Sequence, residues 1–251
     1  MLASPFASRT LALARGREPV VALTGAGVSA ESGLATFRGA DGLWNGRDPA
    51  DLATPEAFAR DPHLVWRFYD WRRRKARAAR PNAAHLALAA LERQRGAMRV
   101  VTQNVDGLHQ RAGSASVLSL HGTLWRLRCT AENREFDDER ADLGVLPLRC
   151  ECGGLLRPAV VWFGEPLDPA VLAEAEHAVR TAALVLVVGT SSMVVPAASL
   201  APIARRAGAW IVEINPDRTP LTRHADEHVT GRAGDLLPRL VAAAGFDVEV
   251  A

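Results

Sequence analysis

The chain alternates short apolar runs with longer segments whose apolar positions recur at helical spacing. Val20–Thr24, Met98–Thr102, Val117–His121, Ala183–Gly189 and Trp210–Asn215 are rich in Val, Leu or Ile, and each ends in a polar residue or glycine. Runs this short and this continuously apolar suit parallel strands buried on both faces. Helical patterns lie between them over Pro81–Arg95, Pro169–Thr181, Pro196–Arg206 and Gly234–Ala244. The alternation predicts βαβ units, and hence an α/β fold built on a doubly wound parallel sheet.

Two segments break the alternation. Residues 40–80 are helix-rich, and residues 129–154 are polar and carry all three cysteines. The expected organisation is a large domain from 1–39, 81–128 and 155–251, a helical insertion at 40–80, and a small cysteine module at 129–154. A chain of 251 residues with 48% hydrophobic and 23% charged content can bury one sizeable core. Net charge is only +2, so no global field calls for nucleic acid or a membrane surface. The basic run Arg72–Arg80 has no interleaved aromatic beyond Trp71, which argues against nucleic-acid reading. Arg9, Arg15 and Arg17 interrupt any secretory apolar stretch, and no run approaches the roughly twenty apolar residues of a membrane span. An odd cysteine count argues against a disulfide framework and for a reducing compartment, so a cytoplasmic location is expected.

Ligands of doubly wound sheets bind beyond the C-terminal strand ends. Here those ends read Thr24-Gly25-Ala26-Gly27, Thr102-Gln103-Asn104-Val105-Asp106, His121-Gly122, Gly189-Thr190-Ser191-Ser192 and Asn215-Pro216-Asp217. All five are expected to face one crevice. The first continues as Val28-Ser29-Ala30-Glu31-Ser32-Gly33, with a helical pattern to about Leu34, then Thr36-Phe37-Arg38-Gly39. A strand, a glycine turn and a helix start allow close approach of a pyrophosphate. Phe37 adds an apolar lid and Arg38 a phosphate-pairing cation. His121 ends an apolar run at the crevice, where an imidazole can take a proton from a hydroxyl near neutral pH.

Gly25–Gly39, Thr102–His109, His121-Gly122, Arg157–Glu165, Gly189-Thr190-Ser191 and Asn215, colinear from about Val20 to Leu240, resemble the sirtuin family of NAD-dependent protein-lysine deacylases. The resemblance implies a Rossmann-type domain and a smaller domain, with NAD and an acylated lysine of a protein or peptide meeting between them. It implies cofactor contacts at Gly25, Ala26, Gly27, Ser29, Glu31, Phe37, Arg38, Trp44, Gln103, Asn104, Asp106, Gly189, Thr190, Ser191, Asn215 and Ala233. His121 is implied as the general base on the NAD ribose, with Asn104 positioning ribose and water and Asp106 gripping the nicotinamide amide. Val161 and Phe163 would wall a tunnel for the lysine stem. The implied products are free lysine, nicotinamide and an O-acyl-ADP-ribose. Rival readings are a plain deacetylase, a mono-ADP-ribosyltransferase, or a silent NAD-binding module.

Taken alone, Arg72-Arg73-Arg74-Lys75 reads as a solvated basic helix face. Tyr69 and Arg72, however, share a face at i and i+3, and a phenol beside a guanidinium suits a carboxylate. The pair is similar to that of the class III sirtuins, which remove succinyl and malonyl groups, as is Ala53 in Asp51-Leu52-Ala53-Thr54-Pro55. The cysteines depart from the family. Zinc-binding members carry two Cys-x-x-Cys pairs, whereas Cys129 is followed three residues later by Glu132, and Cys150 and Cys152 enclose one residue. Cys129, Cys150 and Cys152 are the candidate ligands of this degenerate, ribbon-like site, and Glu132 could complete it. Without zinc, the module would rest on Leu143, Val145, Leu146, Leu148 and Leu155.

Overall fold

The computed structural model describes residues 4–36, 48–140 and 142–248. Its helices are α1 (Ser8–Arg15), α2 (Ala26–Ser29), α3 (Pro55–Arg60), α4 (Pro62–Ala78), α5 (Ala83–Arg95), α6 (Leu108–Arg111), α7 (Pro169–Thr181), α8 (Leu200–Arg206) and α9 (Ala233–Ala243). The strands are β1 (Val20–Thr24), β2 (Met98–Thr102), β3 (Val117–Ser119), β4 (Gly122–Cys129), β5 (Glu135–Asp137), β6 (Leu156–Val160), β7 (Leu184–Val188), β8 (Trp210–Asn215) and β9 (Glu227–Thr230).

Six parallel strands form one sheet in the order β3-β2-β1-β7-β8-β9. Chain order reverses between β1 and β7, whose first residues Val20 and Leu184 stand opposite each other. Successive strand side chains point to opposite faces. Val20, Ala22 and Leu186 meet Leu88, Leu91, Leu237 and Leu240 of α5 and α9 on one side. Val21, Leu23 and Val187 meet Val179, Leu200 and Ala204 of α7 and α8 on the other. Helices on both faces explain why these strands are apolar throughout rather than alternating.

Helix starts follow capping chemistry. Asn82 accepts from the backbone N–H groups of Ala84 and His85, and Asp168 and Asp61 cap α7 and α4 in the same manner. Several expected elements are shorter than their patterns. The glycine turn leads into one α turn and a 3-10 turn at 30–32, not a helix to Leu34. Likewise β3 stops at Ser119, and α8 begins only at Leu200, after a 3-10 turn. The sequence pattern missed α1 and the polar edge strand β9.

A second, antiparallel sheet has the order β5-β4-β6. It takes in 122–129 and 156–160, so the cysteine module reaches beyond the expected 129–154. This sheet packs on α3 and α4 through Phe58, Val65, Trp66, Leu124, Leu127 and Leu156. Leu143 and Leu148 join that core, and Leu146 and Leu155 pack at its edge, but Val145 is 90% exposed and contributes nothing.

Arg73 departs from the solvated face that 72–75 suggests when taken alone. Arg73 is 1% exposed and pairs with Asp138 at 2.7 Å, while also donating to the carbonyls of Leu124, Asp138 and Arg140. Burial opposes ionisation of Asp138, but Arg140 and Arg73 hold its carboxyl below the ordinary value. This cluster ties α4 to the small sheet. Removing one partner of a buried pair costs about 3–5 kcal/mol, because the other charge stays behind unpaired. Arg73→Met should therefore lower unfolding stability by about that amount in a urea titration at pH 7. A change under about 1 kcal/mol would show that the pair does not brace the module.

Candidate functional site

The two turns at the switch point pass backbone against backbone. A Cβ on Gly27 would lie 2.8 Å from the Gly189 Cα, and one on Gly189 would lie 2.5 Å from the Val28 nitrogen. Gly189 also has φ +59°, so glycine is required there twice over. The Gly27 N–H donates to the Gly189 carbonyl at 2.8 Å, and Gly25 N–H to Val188 at 3.2 Å.

Around this crossing the strand-end side chains interlock. Gln103 Nε2 donates to Thr190 Oγ1 at 3.0 Å, and Asn215 Nδ2 donates to the Thr190 carbonyl at 2.9 Å. The ends of β2, β7 and β8 are thereby joined. Ser191 follows, half-buried. Asn104 Nδ2 donates to the Gly25 carbonyl and contacts Ser29 Oγ, both at 3.1 Å, and Ser29 donates to Asp106 at 2.8 Å. Asp106 also accepts from the Leu108 N–H. Burial pushes its carboxyl up, while the Leu108 and Ser29 bonds and the Arg72 charge pull it back. Glu31 turns away from the crossing, accepting from the Gly234 N–H at 2.8 Å, and Ala233 is buried at the start of α9.

His121 follows β3, half-buried, with Nδ1 3.1 Å from the Gln103 carbonyl. A carbonyl can only accept, so Nδ1 carries the proton and Nε2 is left with its lone pair. Burial lowers this imidazole's pKa and the Gln103 bond offsets part of that fall, so the ring is neutral at pH 7. Its own carbonyl accepts from Val161 N–H at 3.0 Å, and Phe163 N–H donates to the Ala53 carbonyl at 2.9 Å. The segment after β6 is thus pinned between the histidine and the helical insertion.

A cavity of about 250 Å³ opens beside this group, lined by Ala26, Ser29, Asn104, Asp106, Trp71, Arg72 and Lys75 among others. Arg72 therefore shares a cavity with the strand-end amides, and its guanidinium carbon lies 5.3 Å from the Tyr69 ring centroid. Burial lowers the Arg72 pKa, and Tyr69 and Asp106 oppose that fall. Tyr69 is 2% exposed and accepts a bond from Trp162 Nε1 at 2.9 Å. Ala53 and Trp162 belong to the same apolar cluster.

In the small module the Sγ atoms of Cys129, Cys150 and Cys152 and a carboxylate oxygen of Glu132 all lie within 4.8 Å of one another. Phe37, Arg38 and Trp44 lie outside the described residues.

Two buried histidines were not expected at the site. His85 Nε2 is 3.4 Å from Ser29 Oγ, His109 Nε2 is 3.0 Å from Thr24 Oγ1, and the two rings meet edge to face at 4.9 Å. Burial pushes His109 down to about 4, and burial with the neighbouring His109 pushes His85 to about 3. Both are neutral packing groups behind Ser29. Asn82 and His85 form a capping box at the start of α5.

The comparisons with known proteins agree with this geometry. The Sir2 family profile matches residues 25–196. The chain is 54% identical to NAD-dependent protein deacylase 1 of Archaeoglobus fulgidus, over 88% of this chain and 91% of that protein. It is 50% identical to the NAD-dependent protein deacylase of Aquifex aeolicus, over 88% and 93%. A solved Sir2 homologue–NAD complex superposes with a TM-score of 0.91 at 51% identity, covering 96% of this chain and 95% of that one. A more distant structure, described as Sir2 with a deacetylated p53 peptide and 3′-O-acetyl ADP ribose, is 33% identical, with a TM-score of 0.86, covering 95% and 98%. With its sheet order, its strand-end amides and these likenesses in accord, the chain belongs to the Sir2 family.

Proposed function

We propose that this chain is an NAD-dependent protein-lysine deacylase that prefers acidic acyl groups, succinyl and malonyl, and also removes acetyl. The observation carrying the acyl preference is the placement of Arg72, over Tyr69, in the cavity that Asn104 and Asp106 line. A guanidinium offers a carboxylate a planar, two-pronged partner, and the phenol adds a third donor. Ala53, small and in the same apolar cluster as Tyr69, is the residue that would leave room for a longer acyl chain.

The residues present fit a dinucleotide. The tight glycine turn after β1 lies at the switch point, where dinucleotide pyrophosphates bind on doubly wound sheets, and Gln103, Asn104 and Asn215 offer amides to ribose hydroxyls. NAD, when bound, supplies the glycosidic bond whose cleavage lets the acyl group leave lysine. Asp106 accepts from an amide, Asn104 orients a ribose and a water, and the unprotonated Nε2 of His121 takes a proton from a ribose hydroxyl. The products are free lysine, nicotinamide and an O-acyl-ADP-ribose. A peptide-bound relative of the same fold supports an extended protein or peptide substrate, laid along Val161 and Phe163. No helix among the described residues is long and apolar enough to cross a membrane.

The cysteine cluster fits zinc. Thiolates about 2.3 Å from a tetrahedral ion sit close enough together to match the spread observed here. Cys129, Cys150, Cys152 and Glu132 would hold it, at a structural site in the small module, with Arg134 competing for Glu132 at 3.6 Å.

Three outcomes are expected. His121→Ala should lower acyl-peptide turnover by about 10²–10⁴-fold while NAD binding by calorimetry survives, and the wild-type rate should fall off only below the ordinary imidazole pKa, because its base is already neutral at pH 7. Full activity in that variant would exclude the assigned base. Arg72→Met should cut kcat/KM for a succinyl peptide about ten- to hundred-fold more than for an acetyl peptide, and equal losses would refute the carboxylate pairing. Metal analysis of purified protein should find one zinc per chain, and Glu132→Ala should release it to a weaker chelator than wild type requires. A metal-free protein with unchanged melting would assign the module to its leucines alone.

A further inference from the structure

Trp162 is 3% exposed and held on all sides. Its backbone N–H donates to Glu165 Oε2 at 2.8 Å. The Arg157 guanidinium lies over its ring, 3.3 Å from the centroid, and is itself fixed by Glu165 at 2.8 Å and the Val160 carbonyl at 2.8 Å. Phe58 packs on the ring at 5.3 Å. So constrained, the indole directs its single N–H at the Tyr69 oxygen, 2.9 Å away.

The donor inventory then decides the direction of the phenol hydrogen. An indole nitrogen donates and never accepts, and a guanidinium does the same. Among the described residues, the groups set against the phenol are of this kind: Trp162, which bonds its oxygen, and Arg72, whose guanidinium carbon lies 5.3 Å from the ring centroid. The oxygen accepts from Trp162, and neither group can receive its hydrogen. That hydrogen is available to an acceptor entering beside Arg72. An acyl carboxylate is such an acceptor, whereas an acetyl methyl is not.

We propose that Trp162 is a positioning residue for acidic acyl groups: by donating to the Tyr69 oxygen, it orients the phenol as a donor toward the carboxylate that Arg72 binds. Glu165 and Arg157 serve the same end by clamping the indole. The inference rests on the acidic-acyl reading above and names a residue that acts on it through Tyr69.

The test is a double-mutant cycle on the succinyl-to-acetyl ratio of kcat/KM, using Trp162→Phe, Tyr69→Phe and the pair. Phe keeps an aromatic ring but removes the N–H together with part of the buried indole, so the Tyr69→Phe background is what separates the lost bond from the lost volume. Trp162→Phe alone should lower the ratio about three- to tenfold, chiefly through KM for the succinyl peptide, the size of one hydrogen bond. In the Tyr69→Phe background the same change should move the ratio less than about twofold, since there is no phenol left to orient. A merely structural role would lower both activities together and would persist in that background. An unaltered ratio in Trp162→Phe, or an equal drop with and without Tyr69, overturns the inference while leaving the Arg72 assignment standing. A wild-type protein without any preference for succinyl peptides overturns both. Should Trp162→Phe not fold, the indole N–H resonance of the wild type replaces it: succinyl peptide should shift that resonance and acetyl peptide should not, and the same response to both would refute the proposal.

Discussion

The contact on which the site depends is the passage of two bare backbones at the middle of a parallel sheet. Gly27 and Gly189 approach so closely that a single methyl on either would collide with the other chain segment. That approach sets the separation of the β1 and β7 ends. From it follow the reach of Asn104 to the Gly25 carbonyl and of Gln103 to Thr190. Gln103, Asn104 and Asn215 are each bonded to Gly25 or Thr190, beside this crossing. A dinucleotide site of this sort is a consequence of sheet topology first and of side chains second.

Around that centre, burial sorts three histidines into two roles. His85 and His109 are enclosed and stay neutral at pH 7, so they serve as uncharged packing behind Ser29. His121 remains half-buried, its outer nitrogen unprotonated and its inner one committed to Gln103. The chemistry of the three rings is identical; the dielectric and the hydrogen-bond partner separate them. Asp106 shows the opposing balance, with burial favouring its neutral form and Ser29, the Leu108 N–H and Arg72 favouring the carboxylate.

The far wall of the cavity is built on the second unit. Arg73, buried under the small sheet, anchors α4, while Arg72 on the adjoining face enters the cavity. Neighbouring arginines of one helix thus do different work, one bracing two layers and the other presenting charge. Tyr69 and Trp162 join α4 to the segment after β6, and His121 joins that segment to the large sheet. Tyr69 and His121 are in this way linked through one side-chain bond and one backbone bond.

By itself the sequence determined the strands β1, β2 and β8 to the residue, the helix α7, and the doubly wound class, because strands buried on both faces must be apolar at every position. Glycines at two strand ends and amides at two others marked the crevice for the same local reason. Elements whose stability comes from distant neighbours were not legible: β9 is a polar edge strand, and β4 pairs with β5 and β6 in a sheet apart from the main one. Nor could residue order reveal that Arg73 is buried while Arg72 faces a cavity, that Glu31 turns toward α9, or that Val145 stands in solvent. Those outcomes depend on which surfaces meet once the chain is folded, and the energy of a buried charge or a shared proton is set by that meeting rather than by the residue that carries it.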